Sequence, residues 1–192
     1  METYRAERGG GTLQPREVVG VRGYGAGMLE PVTSRPYMPG YGTLPPDQGT
    51  GLLPWSWAVQ QLTISRNYWL ATVGSDGQPH AMPVWGVWMG DALWFSCGLR
   101  SRKMRNLRAQ PRCSASTQDP EQPVMLQGTA EVITDREQIA MFLAASNAKY
   151  GTPVEPDFLD PAVNATVRVA PRTVIGLKES DFDGSPTRWR FS

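Results

Sequence analysis

From Pro54 onward the chain switches between stretches with helical spacing of apolar residues and dense β-rich runs. Trp55, Ala58, Val59 and Leu62 share one helical face and Pro54 suits a first turn, which predicts a helix from Pro54 to about Ser65. Asn67–Val73 and the run from His80 to Met89 flank Gly74-Ser75-Asp76-Gly77, the signature of a hairpin. Gly90-Asp91 turns the chain into Ala92–Ser96, so Tyr68 to Phe95 reads as a three-strand meander. Two further strands, Arg112–Thr117 and Pro123–Ile133, surround the turn Gln118-Asp119-Pro120-Glu121. Asp135 is placed to cap a helix reaching about Tyr150, with Ile139, Phe142, Leu143 and Ala144 facing inward and Gly151 at its end. Residues 152–161 read as loop. Val163–Lys178 reads mostly as strand, with Pro171 marking an edge or bulge, and Thr187–Phe191 as a last short strand. Six or seven antiparallel strands with helices inserted close most naturally as a small barrel, a mainly β (α+β) domain over residues 54–192.

Residues 1–53 break this pattern. About half of the 20 glycines lie there, with Pro15, Pro31, Pro36, Pro39, Pro45 and Pro46, and no periodicity accompanies them. Residues 1–25 read as disordered. From Met28 to Leu53 the anchors Tyr37, Met38, Tyr41, Leu44, Leu52 and Leu53 favour an extended arm, draped over the body or over a second subunit, above simple disorder.

Composition narrows the function classes. A length of 192 residues suits one domain with a tail. Lys+Arg 19 against Asp+Glu 18 leaves no domain-wide basic excess of the kind a nucleic-acid binder shows. Cys97 and Cys113 form neither a disulfide framework nor a CxxC pair, and His80 is the only histidine, so no metal site and no ordinary histidine-based triad is expected. No run approaches the roughly 18–20 apolar residues of a membrane span, and no signal-peptide core opens the chain. These features point to a cytoplasmic protein with no membrane or nucleic-acid partner.

One stretch carries chemistry. Leu93 to Arg112 runs LWFSCGLRSRKMRNLRAQPR: a strand, a turn, then a basic helix that Ser101 can cap and Pro111 stops. Arg102 and Lys103 fall in the first turn, where the helix dipole mildly disfavours cations and backbone N–H groups lack internal partners. No carboxylate between Asp91 and Asp119 neutralises Arg100, Arg102, Lys103, Arg105, Arg108 and Arg112. A shared anion explains that placement, and a small phosphorylated ligand fits a near-neutral protein better than nucleic acid. A solvated basic face is the alternative.

The ordered set LATV-x-x-DG-x-PH, PVW, FS-x-G, SRK, NL and PR resembles the split β-barrel flavin and deazaflavin proteins, the superfamily of pyridoxamine-phosphate oxidase, over residues 55–191. The resemblance implies an FMN-binding split-barrel fold and a homodimer with the cofactor at its interface. Against the FMN oxidases, Ala81 and Gly86 stand where an Arg and a Lys are expected, Cys97 where Thr is, and Pro123 where a ring-facing Gln is. PHAMPVWGVW, FSCGLRSRKMRNL and the closing TRWRF, with SRPYMPGYG and LLPWSWA, are more similar to the branch that uses the deazaflavin coenzyme F-420.

By that resemblance Arg102 and Lys103 hold the cofactor phosphate, Ser101 and Asn106 support them beside Ser96 and Cys97, and Met82, Pro83, Val84 and Trp85 line the ring. Arg100, Arg105 and Arg108 are placed to meet an anionic tail. Met38 and Tyr41 would cover a substrate pocket, and Arg188 and Trp189 would lie near the partner subunit's cofactor, with an ordinary terminal strand as the alternative. Trp85 and Trp88, three apart in a strand, point to opposite faces, so one meets the ring and the other is core or interface. The implied reaction is hydride transfer from the reduced deazaflavin to an electrophilic C=C or C=N of a small organic substrate. An FMN-dependent oxidase or reductase and a non-catalytic cofactor-binding barrel are the alternatives. Proton-donor candidates are Tyr37, Tyr41, Tyr68, His80 and water.

Overall fold

A computed structural model describes residues 30–192, so the disorder expected of residues 1–25 lies outside the described residues. The elements in chain order are β1 (Val32–Ser34), α1 (Trp55–Ile64), β2 (Asn67–Val73), β3 (Pro79–Met89), β4 (Ala92–Gly98), α2 (Arg102–Ala109), β5 (Arg112–Thr117), β6 (Val124–Ile133), α3 (Arg136–Tyr150), β7 (Asn164–Gly176) and β8 (Thr187–Arg190). Single 3-10 turns lie at Pro156–Leu159 and Glu179–Asp181. Strands β2 to β7 pair antiparallel in the order β7-β4-β3-β2-β5-β6, and a β6–β7 pairing closes the six-stranded barrel. β8 continues from β7, and β1 adds to β8 through Val32↔Arg190 and Ser34↔Arg188. No described helix is long and apolar enough to cross a membrane.

Local chemistry explains the element ends. The Asp135 carboxylate accepts from the Gln138 amide at 2.9 Å, and Gly151 closes α3 in the left-handed region at φ 66°. β1 was not expected, because three residues in a Gly/Pro-rich context carry no periodicity; pairing with β8 creates it. The Pro171 irregularity is a true bulge. Gln127 pairs with Thr173 and Gly128 with Pro171, which leaves Arg172 without a partner.

The barrel interior is filled by inward rungs of all six strands: Tyr68, Leu70, Val84, Leu93, Phe95, Ala115, Val124, Leu126, Val167, Val169 and Val174 are all buried. β4 is buried on both faces. Leu93 and Phe95 enter the barrel, while Trp94 packs outward under α3 against Phe142, with ring centroids 6.3 Å apart.

The arm lies along the β8 side of the same chain. Arg35 donates to the Pro186 and Pro45 carbonyls at 2.5 and 3.0 Å, Leu44 N–H to the Asp183 carbonyl at 2.9 Å, and Leu53 N–H to Thr187 Oγ1 at 2.8 Å. Thr50 N–H donates to Asp181 Oδ2 at 2.7 Å, and that bonding with Thr50 holds the Asp181 carboxyl below its ordinary value.

Two terminal residues expected near a ligand are structural in this chain. Trp189 is fully buried, packed on Trp55 and Trp57 with centroids 5.7 and 6.4 Å away, so its indole is core and not a wall for substrate. Alternation in β8 sends Thr187 and Trp189 inward. Arg188 faces the arm, where Nε and Nη2 donate to Ser34 Oγ at 3.3 and 3.2 Å. Because Trp189 Nε1 is buried without a hydrogen-bond partner, its value is packing. Trp189→Ala should therefore cost about 3–5 kcal/mol, whereas Trp189→Phe should cost much less, measured as the loss of folding free energy in urea.

Candidate functional site

The start of α2 is built as an anion-binding end. Ser101 keeps an extended backbone and its Oγ accepts from the Met104 amide at 3.3 Å. No acidic residue occupies the first turn. Met104 and Leu107 bury one face of the helix in the core, which leaves Arg102, Arg105 and Arg108 exposed and Lys103 half-buried on the other. Asn106 is buried, and its side-chain amide donates to Thr72 Oγ1 at 3.0 Å; it serves the site by pinning α2 to β2. Cys97 points into the barrel core. Burial raises its thiol pKa even though Ser101, Lys103 and Arg108 pull it down, so it offers no thiolate to a ligand. Ser96, its neighbour, stays half-exposed.

β3 supplies the second part. It pairs with β2 along Pro79–Trp85 but with β4 only from Gly86 to Met89. The edge of Pro79–Trp85 that faces away from β2 therefore has no strand partner, and prolines at 79 and 83 remove two of its N–H groups. Met82, Pro83 and Trp85 are exposed on this segment, Trp85 at 52%. The Val84 side chain is buried in the core, so its backbone is what it offers to a ring along this edge. Trp88 is the core member of the pair with Trp85, as its spacing requires. His80 Nδ1 on β3 and Asn67 Oδ1 opposite Trp85 are buried without a hydrogen-bond partner among the described residues.

A third part was missed in the sequence. The Trp85 ring stacks on Tyr150 at 4.4 Å and 7°. Tyr150 Oη accepts from the Gly86 N–H at 2.7 Å and donates to the Arg66 carbonyl at 2.5 Å, taking the place of a ladder rung where β2 and β3 diverge. Lys149 Nζ donates to the Gly86 carbonyl at 2.7 Å and lies 4.8 Å from the Tyr68 ring centroid. No carboxylate pairs with it; the one ion pair among the described residues joins Arg168 and Glu131 at 3.8 Å. Burial, helped by Arg66, lowers the Lys149 pKa to about 8. The last turn of α3 thus fixes Trp85 in place although half of that side chain is exposed. Lys149 carries no expected role in the sequence, and nothing there ties it to Gly86.

Other expected residues fall elsewhere. Tyr41 packs on Phe182 with centroids 6.0 Å apart, Met38 is half-buried beside it in the arm, and Tyr37 is exposed. Tyr68 is fully buried, its hydroxyl donates to the Leu62 carbonyl, and burial raises its pKa. It is out of reach as a proton donor. Among the described residues no cluster of three or more His, Cys, Asp or Glu could hold a metal ion.

A family model described as pyridoxamine 5'-phosphate oxidase matches residues 58–179. Among solved structures, the chain is similar to the conserved hypothetical protein Rv2991 from Mycobacterium tuberculosis, with 25% identity, a TM-score of 0.58, and 67% of this chain and 87% of that one covered. It is similar to an F420 reductase at 27% identity and a TM-score of 0.51, over 60% of this chain and 93% of that one. The heme storage protein HutZ from Vibrio cholerae shares the fold at 19% identity and a TM-score of 0.51, over 61% and 87%. No curated protein matches the chain.

The Lys149 latch has a pH signature. Below about pH 8 the amine is charged in both states and the cost of burying it is present in full. Between there and its ordinary value of 10.5 the folded chain sheds the proton first, so stability rises with pH. From about 9.0 the buried Cys97 and Cys113 thiols, and above 10.0 the buried Tyr68 phenol, act in the opposite sense, because these groups ionise first in the unfolded chain. Tm should therefore rise from pH 8 toward 9 and then level or fall, and Lys149→Met should flatten the rise in thermal melts.

Proposed function

The chain belongs to the pyridoxamine 5'-phosphate oxidase family, and from that premise we propose that it is an oxidoreductase using the reduced deazaflavin coenzyme F-420 to reduce an electrophilic C=C or C=N of a small organic substrate. The observation that carries the reading is the cationic start of α2, a helix packed on β2 and β4, the two neighbours of β3, together with the unpartnered edge of β3. Arg102, Lys103 and the first-turn amides suit a phosphodiester, while the Met82–Trp85 edge and the rigid Trp85 face suit a planar ring. When bound, the reduced deazaflavin supplies a hydride. Arg100, Arg105 and Arg108 give an anionic tail the partners that FMN does not need.

Two features speak against FMN. A Cβ at Gly86 would approach the Trp94 carbonyl at 3.0 Å, and the Gly86 N–H and C=O are both taken by α3, so no side chain from that position grips a flavin. Ala81 likewise has no charge to offer. The similarity to an F420 reductase supports the same branch.

Of the proton-donor candidates, His80 lies on the unpartnered segment of β3 and is half-exposed, which supports it over the buried Tyr68. The outer face of the barrel, where Pro83, Trp69 and Met125 stand exposed on one row across β3, β2, β5 and β6, supports the reading of a homodimer. A second copy covering that row would also shield the ring edge from water.

The test is a parallel fluorescence titration of the full chain with coenzyme F-420 and with FMN. Tight binding of the deazaflavin alone is expected, weakened roughly tenfold or more in Lys103→Ala. Preference for FMN would replace this reading with an FMN-dependent oxidase or reductase, and binding of neither would reject both.

A further inference from the structure

The bulge in β7 builds a second cationic site that the reading above does not use. Counting back from buried Val174, strict alternation would turn Arg172 toward the barrel core. The extra residue at the bulge turns it outward instead, so that Arg172 and Thr173 both line an open groove on the outer barrel face. Gly128 makes this possible, since a Cβ there would come within 2.3 Å of the Ala170 carbonyl across the bulge. The Phe191 N–H donates to the Arg172 carbonyl at 3.0 Å and fixes the bulged backbone from the far side.

Arg112 faces the same groove from β5, with β6 between them, so the two backbones stand roughly 10 Å apart, within the combined reach of two arginine side chains. Arg112 Nε is held by Gln110 Oε1 at 3.1 Å, and its two terminal nitrogens have no partner among the described residues. Ala71, Ser114, Gln127 and Thr173 contribute small or neutral side chains to the lining, and among the described residues no carboxylate lines the groove. Its volume is about 470 Å³, inside the roughly 300–1,000 Å³ of small-molecule sites.

We propose that this groove binds a small ligand carrying two oxyanion groups, one for each arginine fork. Fork-shaped donors without protein anions beside them match carboxylate or phosphoryl oxygens in paired hydrogen bonds. Arg172, turned outward by the bulge and set opposite Arg112, concentrates positive potential in a groove whose described lining holds no carboxylate. The groove occupies the next rungs of the ladder that carries Trp69 and Met125, which puts it at the rim of a subunit interface formed on that row. The site stands whether or not the cofactor at α2 is a deazaflavin.

The experiment is calorimetric titration of the full chain with glutarate and with inorganic pyrophosphate, which separates carboxylate from phosphoryl recognition. An Arg102→Gln/Lys103→Gln background removes competition from α2. Binding of either probe in that background, weakened roughly tenfold or more by Arg172→Gln and by Arg112→Gln, is the expected result. Arg172→Lys should recover part of the loss, because it restores charge without the fork. No binding in that background, or binding that Arg172→Gln leaves unchanged, would overturn the proposal.

Discussion

The parting of β3 from β4 beyond Gly86 is the constraint on which the rest of the site depends. A barrel strand normally satisfies its backbone on both edges, but β3 pairs with β2 only along Pro79–Trp85 and with β4 only along Gly86–Met89. Beyond that point β4 stays with β7, pairing as far as Gly98↔Asn164, and the chain can then enter the Ser101 cap and the basic helix. Had β4 followed β3 to its end, neither an open edge for a ring nor a helix start beside it would exist. The gap is stabilised from the core side by buried Met104 and Leu107, and from β2 by the Asn106–Thr72 bond.

Holding such a gap open requires that its hinge be rigid, and α3 provides that. Tyr150 and Lys149 bond both polar groups of Gly86, the last residue before the strands part. A phenol is well suited to this position because its hydroxyl both accepts and donates, bridging the Gly86 N–H and the Arg66 carbonyl. The stacked Trp85 inherits that rigidity, so a planar ligand on its free face would find the indole already ordered. The lysine is held there against its own desolvation, which is why its proton is weakly bound.

The outer face divides by chemistry. Near the parting of the strands it is aromatic and apolar, at Trp69, Pro83 and Met125; along the same strands toward the β7 bulge it becomes cationic, at Arg112 and Arg172. The arm keeps to the β8 side, tied to Thr187, Asp181 and Pro186, and so leaves both regions of that face to other partners.

The sequence by itself determined the elements: the hairpin at Asp76-Gly77, the Asp135 and Ser101 caps, the Gly151 stop, the bulge near Pro171, and the unneutralised charge of α2. These features are local, set by backbone preference and by residues within one or two turns of each other. Period also separated Trp88 from Trp85. Only the tertiary structure decided that Trp189 is core, that Arg188 clasps Ser34 across 154 positions, and that Tyr150 meets Gly86 across 64. The physical reason is that burial and a side chain's partner are set by what lies against it in space. Neither the three-residue β1 nor the Lys149 latch has a pattern of its own; each exists because a distant strand leaves polar groups that it satisfies.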